Sequence, residues 1–289
     1  MTKTRATSIG FIAVLLWALL ALLTVGSAPV PPFLLNALGF SIGGTIGVIW
    51  VVATGQLATL RQIHWGVYAF GTVGLFGYHA LYFSALRIAP AAEAGLIAYL
   101  WPLLIVLFSG FLPGERLKSG HIIGALIGFA GAALILAKDG LNLQTSALTG
   151  YGLAMLCAIT WSLYSVISRQ LGKVPTAAVA VFCVATAALS FAAHLMFEQT
   201  VWPTDNIGWA AVIGLGLGPV GLAFYVWDIG VKRGDIQLLG VASYAAPLLS
   251  TLALIIAGIA PASWPLLLAA GLVAGGAALA ARASAAKDQ

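Results

Sequence analysis

Charged residues are scarce in this chain, with 13 lysines and arginines and 8 aspartates and glutamates among 289 residues, or 7% of the total. A soluble domain carries about 25% charged residues, so this chain cannot cover a folded core with an ordinary solvated surface. Hydrophobic residues instead make up 61% of the sequence. The composition excludes a soluble globular protein and indicates a protein that crosses a membrane several times.

Cysteine and histidine are also rare, with two and four copies. Cys157 and Cys183 fall in apolar runs, where a thiol behaves as a small hydrophobe, and no disulfide framework or metal-ligand spacing is present. The sequence has no Gly-x-Ser-x-Gly motif, and its glycine-rich stretch Gly214–Gly221 lies in an apolar run without a preceding strand. We therefore predict no enzyme activity, no cofactor and no metal site, and we interpret these glycines as close helix packing.

Long apolar runs fill most of the chain. A transmembrane helix needs about 20 apolar residues, and ten runs reach that length without the alternation typical of a membrane β-barrel. The predicted spans are 8–26, 32–54, 65–86, 89–111, 119–137, 150–170, 175–197, 208–230, 236–258 and 262–282. The sequence therefore predicts an all-α polytopic membrane protein with ten transmembrane helices.

Basic residues lie mainly on one side of the predicted membrane. If the N-terminus is cytoplasmic, only Arg87 and Lys138 fall outside, and eleven basic residues fall inside. The inside set is Lys3, Arg5, Arg61, Arg116, Lys118, Arg169, Lys173, Lys232, Arg233, Arg282 and Lys287. The positive-inside rule then predicts an inner-membrane protein with both termini in the cytoplasm. Because these residues sit in short loops and form no patch, the net charge of +5 does not indicate nucleic-acid binding.

The two halves of the chain resemble each other at an offset of 145 residues. Tyr99 falls on Tyr244, Pro102 falls on Pro247, and the four-residue word GAAL recurs in the same register. The agreement of a tyrosine, a proline and a four-residue word indicates an internal repeat.

Each half contains five spans, and an odd number of spans places the second half upside down relative to the first. We predict two inverted five-helix repeats, at residues 1–140 and 149–284. Inverted repeats are typical of secondary transporters, in which the substrate site lies at mid-depth between the repeats.

Pro102 and Pro247 each lie roughly 15–20 Å into a predicted span, near the middle of a hydrocarbon core of about 30 Å. A proline frees a backbone carbonyl, and a membrane tolerates this only where the carbonyl meets protein or a water-filled cavity. A single proline often does no more than kink a membrane helix. A pair at matching depth in both repeats favours a central cavity.

Aromatic residues cluster around these prolines. Tyr78 and Tyr82 share one helix face, and Trp17 and Trp161 lie at mid-depth, away from the interfacial belt. The predicted cavity residues are Trp17, Tyr78, His79, Tyr82, Tyr99, Trp101, Pro102, Trp161, Ser243, Tyr244 and Pro247. Packing between helices is the competing interpretation, and the sequence alone does not sort these residues individually.

The few ionisable residues within spans have structural explanations beside functional ones. Glu93 follows Pro90 in the first turn of a predicted helix, where an acid complements the helix dipole. Asp228 lies four residues before Lys232, at the spacing of an ion pair. His79 is deep and titratable near neutrality, and a satisfied interior histidine is as compatible with the pattern as a working one.

The ten spans, the inverted halves, the prolines in the fourth and ninth spans and the cytoplasmic termini resemble the drug/metabolite transporter superfamily, in its EamA-type exporter branch. The deep aromatics Trp17, Tyr78, Tyr82, Tyr99 and Trp101 are similar to those of an aromatic amino acid exporter of that branch. The resemblance implies a secondary transporter that exports aromatic and other neutral amino acids by alternating access. Relatives that expel lipophilic cations use a mid-membrane glutamate, and this sequence has none at mid-depth.

Other functions stay open beside this expectation. Export of another small metabolite, such as a nucleotide sugar, or of a drug would use the same fold. An intramembrane enzyme would need a catalytic dyad that the sequence lacks, and a membrane scaffold would not need broken helices around a cavity. The expected partners are a small-molecule substrate and the lipid bilayer, with no nucleic acid. The oligomeric state is left open, with a monomer as the working expectation.

Overall fold

The computed structural model describes residues 1–137, 140–141 and 143–285, and throughout these residues the regular structure is helical, without a strand. Lys138 and Lys287, which entered the orientation argument, lie outside the described residues.

Within the described residues, the first half contains eight α-helices and the second half contains seven. Those of the first half are α1 (Lys3–Trp17), α2 (Leu20–Gly26), α3 (Pro32–Ala53), α4 (Leu57–Arg61), α5 (Trp65–Ile88), α6 (Ala91–Ala98), α7 (Trp101–Ser109) and α8 (Ser119–Leu136). Those of the second half are α9 (Leu148–Gln170), α10 (Ala178–Phe197), α11 (Asn206–Leu217), α12 (Ala223–Arg233), α13 (Ile236–Ala242), α14 (Ala245–Ile256) and α15 (Trp264–Ala285). A π-helical turn, Gly218–Leu222, joins α11 to α12.

Nine helical segments of the described residues are long and apolar enough to cross a membrane, and they coincide with nine of the ten predicted spans. The third predicted span forms α5, which is 24 residues long and is not among the nine. Its glycines, tyrosines and single histidine lower its mean hydropathy. The chain is a multi-pass membrane protein, and the tenth span stays a prediction.

The two spans with a proline at mid-depth in both repeats, the fourth and the ninth, are interrupted helices. In the fourth span, α6 ends at Ala98 and α7 begins at Trp101, one residue before Pro102. In the ninth span, α13 ends at Ala242 and α14 begins at Ala245, two residues before Pro247. A proline is well suited to the first turn of a helix, where its missing N–H has no helical acceptor.

The two halves of the chain interlock along their length. Helix α1 packs against α12, α3 against α10, α5 against α9, α7 against α13, and α8 against α15. Glycines allow the closest crossings, since a Cβ added at Gly124 would lie 2.6 Å from the carbonyl oxygen of Gly276. The glycine-rich stretch predicted to pack closely does so, because a Cβ at Gly43 would lie 2.6 Å from the Cα of Gly221.

Ion pairs also join the halves. Arg169 of α9 pairs with Glu115, and the Lys3 Nζ lies 3.0 Å from an Asp235 carboxylate oxygen. Burial opposes ionisation of Asp235, but the Leu238 amide and the Lys3 ammonium outweigh it and hold the pKa of this carboxyl below its usual range. We call these two pairs the inner ties.

A separate pair joins the halves at the opposite ends of the helices. The Arg87 Nη2 donates to a Glu198 oxygen at 2.8 Å, and the Glu198 carboxylate also accepts from the backbone amides of Phe33 and Leu34 at 3.0–3.1 Å. The carboxylate thus caps the N-terminus of α3, where a negative charge is favourable. We call this group the outer tie.

The intramembrane acids lie where the sequence predicted structural roles. The Lys232 Nζ lies 2.8 Å from an Asp228 carboxylate oxygen, which confirms the predicted ion pair, and the Thr176 hydroxyl donates to the same carboxylate at 2.7 Å. Glu93 lies in the first turn of α6, as predicted, and is buried.

Candidate functional site

Four tryptophans from four helices form a cluster in the interior of the helix bundle. Trp17 of α1, Trp101 of α7, Trp161 of α9 and Trp227 of α12 all contact one another, with ring centroids 5.1–6.3 Å apart in every pair. Trp101, Trp161 and Trp227 are at most 4% exposed. We call this group the tryptophan cluster, and it presents edges and faces of aromatic rings at the boundary between the two halves.

Hydrogen bonds fix two of these indoles. The Trp17 Nε1 donates to the carbonyl of Pro219 in the π-helical turn at 3.2 Å, and the Trp227 Nε1 donates to the Ser165 hydroxyl at 3.1 Å. A buried indole N–H needs such an acceptor. The irregular backbone around Pro219 therefore has a positioning role, because it supplies the carbonyl that orients Trp17.

Tyr78, His79 and Tyr82 of α5 and Tyr99 after α6 form a second group, which we call the tyrosine wall. The rings of Tyr78 and Tyr82 stack with centroids 6.2 Å apart, and Tyr78 also contacts Trp161 at 5.4 Å. All four side chains are partly exposed although they are deep within the protein. The tyrosine wall therefore adjoins the tryptophan cluster, through Tyr78 beside Trp161 and Tyr99 beside Trp101.

One ring nitrogen of His79 is hydrogen-bonded to the backbone of its own helix. Its Nδ1 lies 2.7 Å from the carbonyl oxygen of Leu75. Because a carbonyl only accepts, Nδ1 must carry the hydrogen, and in the neutral ring Nε2 is then an acceptor. The imidazole stands perpendicular to the Phe40 ring at 5.2 Å and is 6.2 Å from the Phe224 ring. His79 thus combines an aromatic face with one hydrogen-bond acceptor.

Ser243 and Tyr244 of the second proline region bond to the protein itself. The Ser243 hydroxyl donates to the Leu239 carbonyl at 2.7 Å, and the Tyr244 hydroxyl accepts the Leu103 N–H at 3.1 Å. Both residues are fully buried. Pro102 and Pro247 are buried as well. Of the eleven predicted cavity residues, Trp17, Tyr78, His79, Tyr82 and Tyr99 are therefore the partly exposed ones.

Three aromatic residues of the site were not predicted. Trp227 completes the tryptophan cluster, Phe224 contacts Trp17, Trp161 and His79, and Phe40 stacks on Phe224 at 5.2 Å. A signal for Trp227 was present in the sequence, since it falls on Tyr82 at the repeat offset of 145 residues. Phe224 lies three residues earlier, on the same face of α12.

A separate groove of about 530 Å³ lies between α3 and α10. Its lining includes Ser41 and Val184, and Phe191 and Trp202, which also line it, are half exposed on the outside of the helix bundle. None of the tryptophan-cluster or tyrosine-wall residues lines it. Its position facing the bilayer makes it a poor candidate for a substrate site.

The described residues contain no group of three or more histidine, cysteine, aspartate or glutamate side chains that could hold a metal ion. The chemistry available at the site is therefore that of aromatic rings, hydroxyls, one imidazole and backbone carbonyls.

Comparisons with known proteins agree on one family. The EamA-like transporter family matches residues 4–137 and again residues 148–282. The aromatic amino acid exporter YddG of Ancylobacter novellus is 56% identical over 97% of this chain and 98% of its own length. The aromatic amino acid exporter YddG of Escherichia coli is 27% identical over 96% of this chain and 97% of its own length.

A solved crystal structure agrees with the fold as well. It is 55% identical to this chain and superposes with a TM-score of 0.92, covering 96% of this chain and 98% of that one. With two family matches that together span most of the sequence, the chain belongs to the EamA-like transporter family.

Proposed function

We propose that this protein exports aromatic and other neutral amino acids across the cell's inner membrane. The observation that carries the proposal is the tryptophan cluster beside the partly exposed tyrosine wall. An aromatic side chain that enters such a site exchanges water for ring contacts, which are worth about 0.5–1.5 kcal/mol per pair beyond the buried area. The names of the relatives, aromatic amino acid exporters, agree with this chemistry.

The polar chemistry of the site suits a zwitterion. Neither the tryptophan cluster nor the tyrosine wall includes a carboxylate, so neither group presents a fixed charge to attract an organic cation. Tyrosine hydroxyls can donate to a carboxylate, and Nε2 of His79 can accept from an ammonium group. A neutral amino acid satisfies both requirements without adding net charge.

We propose further that ten spans form two inverted repeats. The packing of helices supports this arrangement. At the offset of 145 residues, spans one and three correspond to spans six and eight, so the contact of α1 with α12 corresponds to that of α9 with α5. The same correspondence holds for single residues of α8 and α15, because at this offset Gly124 corresponds to Ala269 and Gly131 to Gly276. Gly124 packs on Gly276, and in the equivalent contact a Cβ at Gly131 would lie 3.0 Å from the carbonyl oxygen of Ala269.

The family matches at residues 4–137 and 148–282 also support a two-repeat chain, close to the proposed boundaries of 1–140 and 149–284. In the proposed topology both termini are cytoplasmic, the inner ties lie at the cytoplasmic ends of the helices, and the outer tie lies at the other face. Transport by alternating access then requires the two halves to separate at one face while the ties at the other face hold.

Flux measured in proteoliposomes tests the proposed function. The purified protein should move labelled phenylalanine faster than labelled glutamate or a labelled nucleotide sugar. Tyr99→Ala and Trp101→Ala should reduce phenylalanine flux more than threonine flux, because burial of a ring is worth on the order of 1–3 kcal/mol more than burial of a small side chain.

Trp264→Ala is the matched control, since this tryptophan is 75% exposed and lies outside the site. Nucleotide-sugar flux without phenylalanine flux would replace amino acid export by the alternative, export of another metabolite on the same fold.

A further inference from the structure

The carbonyl of Tyr99 has lost both of its helical hydrogen-bond donors. The donor three residues on would be Pro102, which has no N–H. The donor four residues on would be Leu103, but its N–H is bonded to the Tyr244 hydroxyl at 3.1 Å. The carbonyl of Ala98 next to it loses its donor four residues on, again because this residue is Pro102. At this helix end the Tyr99 carbonyl therefore lacks both of its usual donors, and the Ala98 carbonyl lacks the α-helical one.

These carbonyls lie at the electronegative end of a half-helix. The Tyr99 N–H still donates to the Gly95 carbonyl at 2.9 Å, and the Leu100 N–H donates to the Ile97 carbonyl at 3.1 Å, so α6 is regular up to its last turn. The C-terminal end of such a half-helix carries a partial negative charge, and freed carbonyls at that end are suited to bind a cation in the membrane interior.

The same residue connects the two groups of the candidate site. Its side chain belongs to the tyrosine wall and is partly exposed, and its ring lies 6.1 Å from Trp101 of the tryptophan cluster. A ligand that presents a cationic group to the Tyr99 carbonyl would therefore bind close to both aromatic groups.

We propose that the backbone carbonyls of Tyr99 and Ala98, at the break between α6 and α7, bind the ammonium group of the amino acid. This inference rests on the proposed function. An ammonium group has three donors and matches carbonyl acceptors in a site without a carboxylate. The substrate's aromatic ring then packs against the tryptophan cluster.

The second proline region is differently arranged, so the ammonium site belongs to the first repeat. The Ser243 carbonyl, which corresponds to that of Ala98, accepts the Ala246 N–H at 3.1 Å. The Ser243 hydroxyl is bonded to Leu239, and Tyr244 is fully buried where Tyr99 is partly exposed. The Tyr244 hydroxyl accepts the Leu103 N–H, which would otherwise be available to the Tyr99 carbonyl.

Two variants test this site by returning a donor to these carbonyls. Pro102→Ala supplies an N–H within reach of the Ala98 and Tyr99 carbonyls. Tyr244→Phe removes the hydroxyl acceptor, so that the Leu103 N–H can return to the Tyr99 carbonyl. Pro102→Ala adds a helical hydrogen bond, and Tyr244→Phe exchanges the bond between Leu103 and Tyr244 for a helical one. Pro113→Ala, in an exposed turn after α7, is the matched control.

Binding is measured on the purified protein by tryptophan fluorescence, separately from transport. The probes are phenethylamine, which has the ring and the ammonium group, and 3-phenylpropionate, which has the ring and the carboxylate. Both variants should weaken phenethylamine binding by about tenfold or more, because a hydrogen bond to a charged group contributes at least about one decade of affinity. The affinity for 3-phenylpropionate should change far less, and Pro113→Ala should change neither.

Equal losses for both probes, unchanged phenethylamine affinity in the variants, or no binding of phenethylamine to the unmodified protein would each overturn the ammonium site. Replacement of sodium by choline in the buffer shows whether binding depends on a metal cation. If sodium dependence disappears in Pro102→Ala while phenethylamine affinity is unchanged, the carbonyls bind sodium and the proposal is wrong. Failure of the proposed function is a different result, namely absence of phenylalanine flux in the unmodified protein.

Discussion

At the scale of single residues, hydrogen-bond partners divide the deep aromatic and polar residues into two kinds. Trp17, Trp227, Ser243 and Tyr244 are hydrogen-bonded to the protein, whereas the Nε2 of His79 has no hydrogen bond to another of the described residues. The sequence could single out these residues, because a tryptophan or histidine at mid-span is unusual in a membrane helix. It could not supply the partners of Trp17, Trp227 and Tyr244, because these lie far away in the chain, as when Tyr244 bonds to a residue 141 positions away.

His79 provides a test at this scale, because asparagine and glutamine each reproduce one of its nitrogens. His79→Asn keeps a donor near the position of Nδ1 for the Leu75 carbonyl and removes the distal polar atom. His79→Gln keeps a polar group near the position of Nε2. If Nε2 bonds to the substrate, phenylalanine flux should fall several-fold with asparagine and less with glutamine, as expected for loss of a hydrogen bond worth about 1 kcal/mol.

The pH dependence of flux separates this role from proton coupling. No carboxylate belongs to the tyrosine wall to form a relay with His79, so the loss should be the same at every pH between about 5 and 8, the range in which a histidine titrates. A flux that loses its pH dependence in both variants would instead assign His79 to proton coupling. Unmodified rates in both would make it an ordinary interior histidine.

At the scale of helices, the apolar runs and the prolines predicted the spans and two of their breaks. Two further breaks were not predicted. Helix α1 ends at Trp17 without a proline. The π-helical turn Gly218–Leu222 does contain a proline, Pro219, but the sequence analysis interpreted this glycine-rich stretch only as close helix packing. Packing decides both places, since Trp17 bonds to Pro219 and Gly221 packs on Gly43. Such contacts join residues far apart in the chain, so the residues next to each break do not predict them.

Adjacent glycines of α15 test how closely helices pack. A Cβ at Gly276 would lie 2.5 Å from the Gly124 carbonyl oxygen, while a Cβ at Gly275 would have no atom of another residue within 4 Å. Gly276→Ala should therefore lower stability by about 1–3 kcal/mol through overpacking. Gly275→Ala should leave it unchanged or raise it by up to about 1 kcal/mol, since alanine favours the helix.

Thermal unfolding in detergent measures the difference between these two variants. Equal stabilities would mean that α8 and α15 are not in backbone contact at this point. The pair isolates packing from helix propensity, because both substitutions make the same chemical change in the same helix.

At the scale of the whole molecule, ties between the halves exist at both ends. The number of basic residues on each side predicts the orientation but gives these residues no partners. The structure pairs several of the same residues across the halves, with Lys3 bonded to Asp235, Arg169 to Glu115 and Arg87 to Glu198. Sequence could predict the local pair of Asp228 with Lys232, because it is four residues apart. It could not predict ion pairs between distant parts of the chain, which depend on how the two halves assemble.

In the proposed topology, removal of the inner ties should favour opening to the cytoplasm. The double variant Lys3→Gln with Glu115→Gln removes both inner ties and leaves Arg169 bonded to the Val231 and Gly234 carbonyls. A reporter cysteine at Leu104, which is partly buried against the core that contains the tryptophan cluster, is placed in a background without Cys157 and Cys183. Labelling by an impermeant maleimide in inside-out vesicles should become faster in the double variant.

Glu198→Gln, which weakens only the outer tie, is the control from the opposite face. It should leave labelling of Leu104→Cys in inside-out vesicles unchanged or slower, because in the proposed alternating-access mechanism loss of the outer tie favours the outward-open state. Faster labelling in both variants would indicate general loosening of the helix bundle. Unchanged labelling in the double variant would show that the inner ties do not hold the cytoplasmic face closed, and the tryptophan cluster alone would then have to close it.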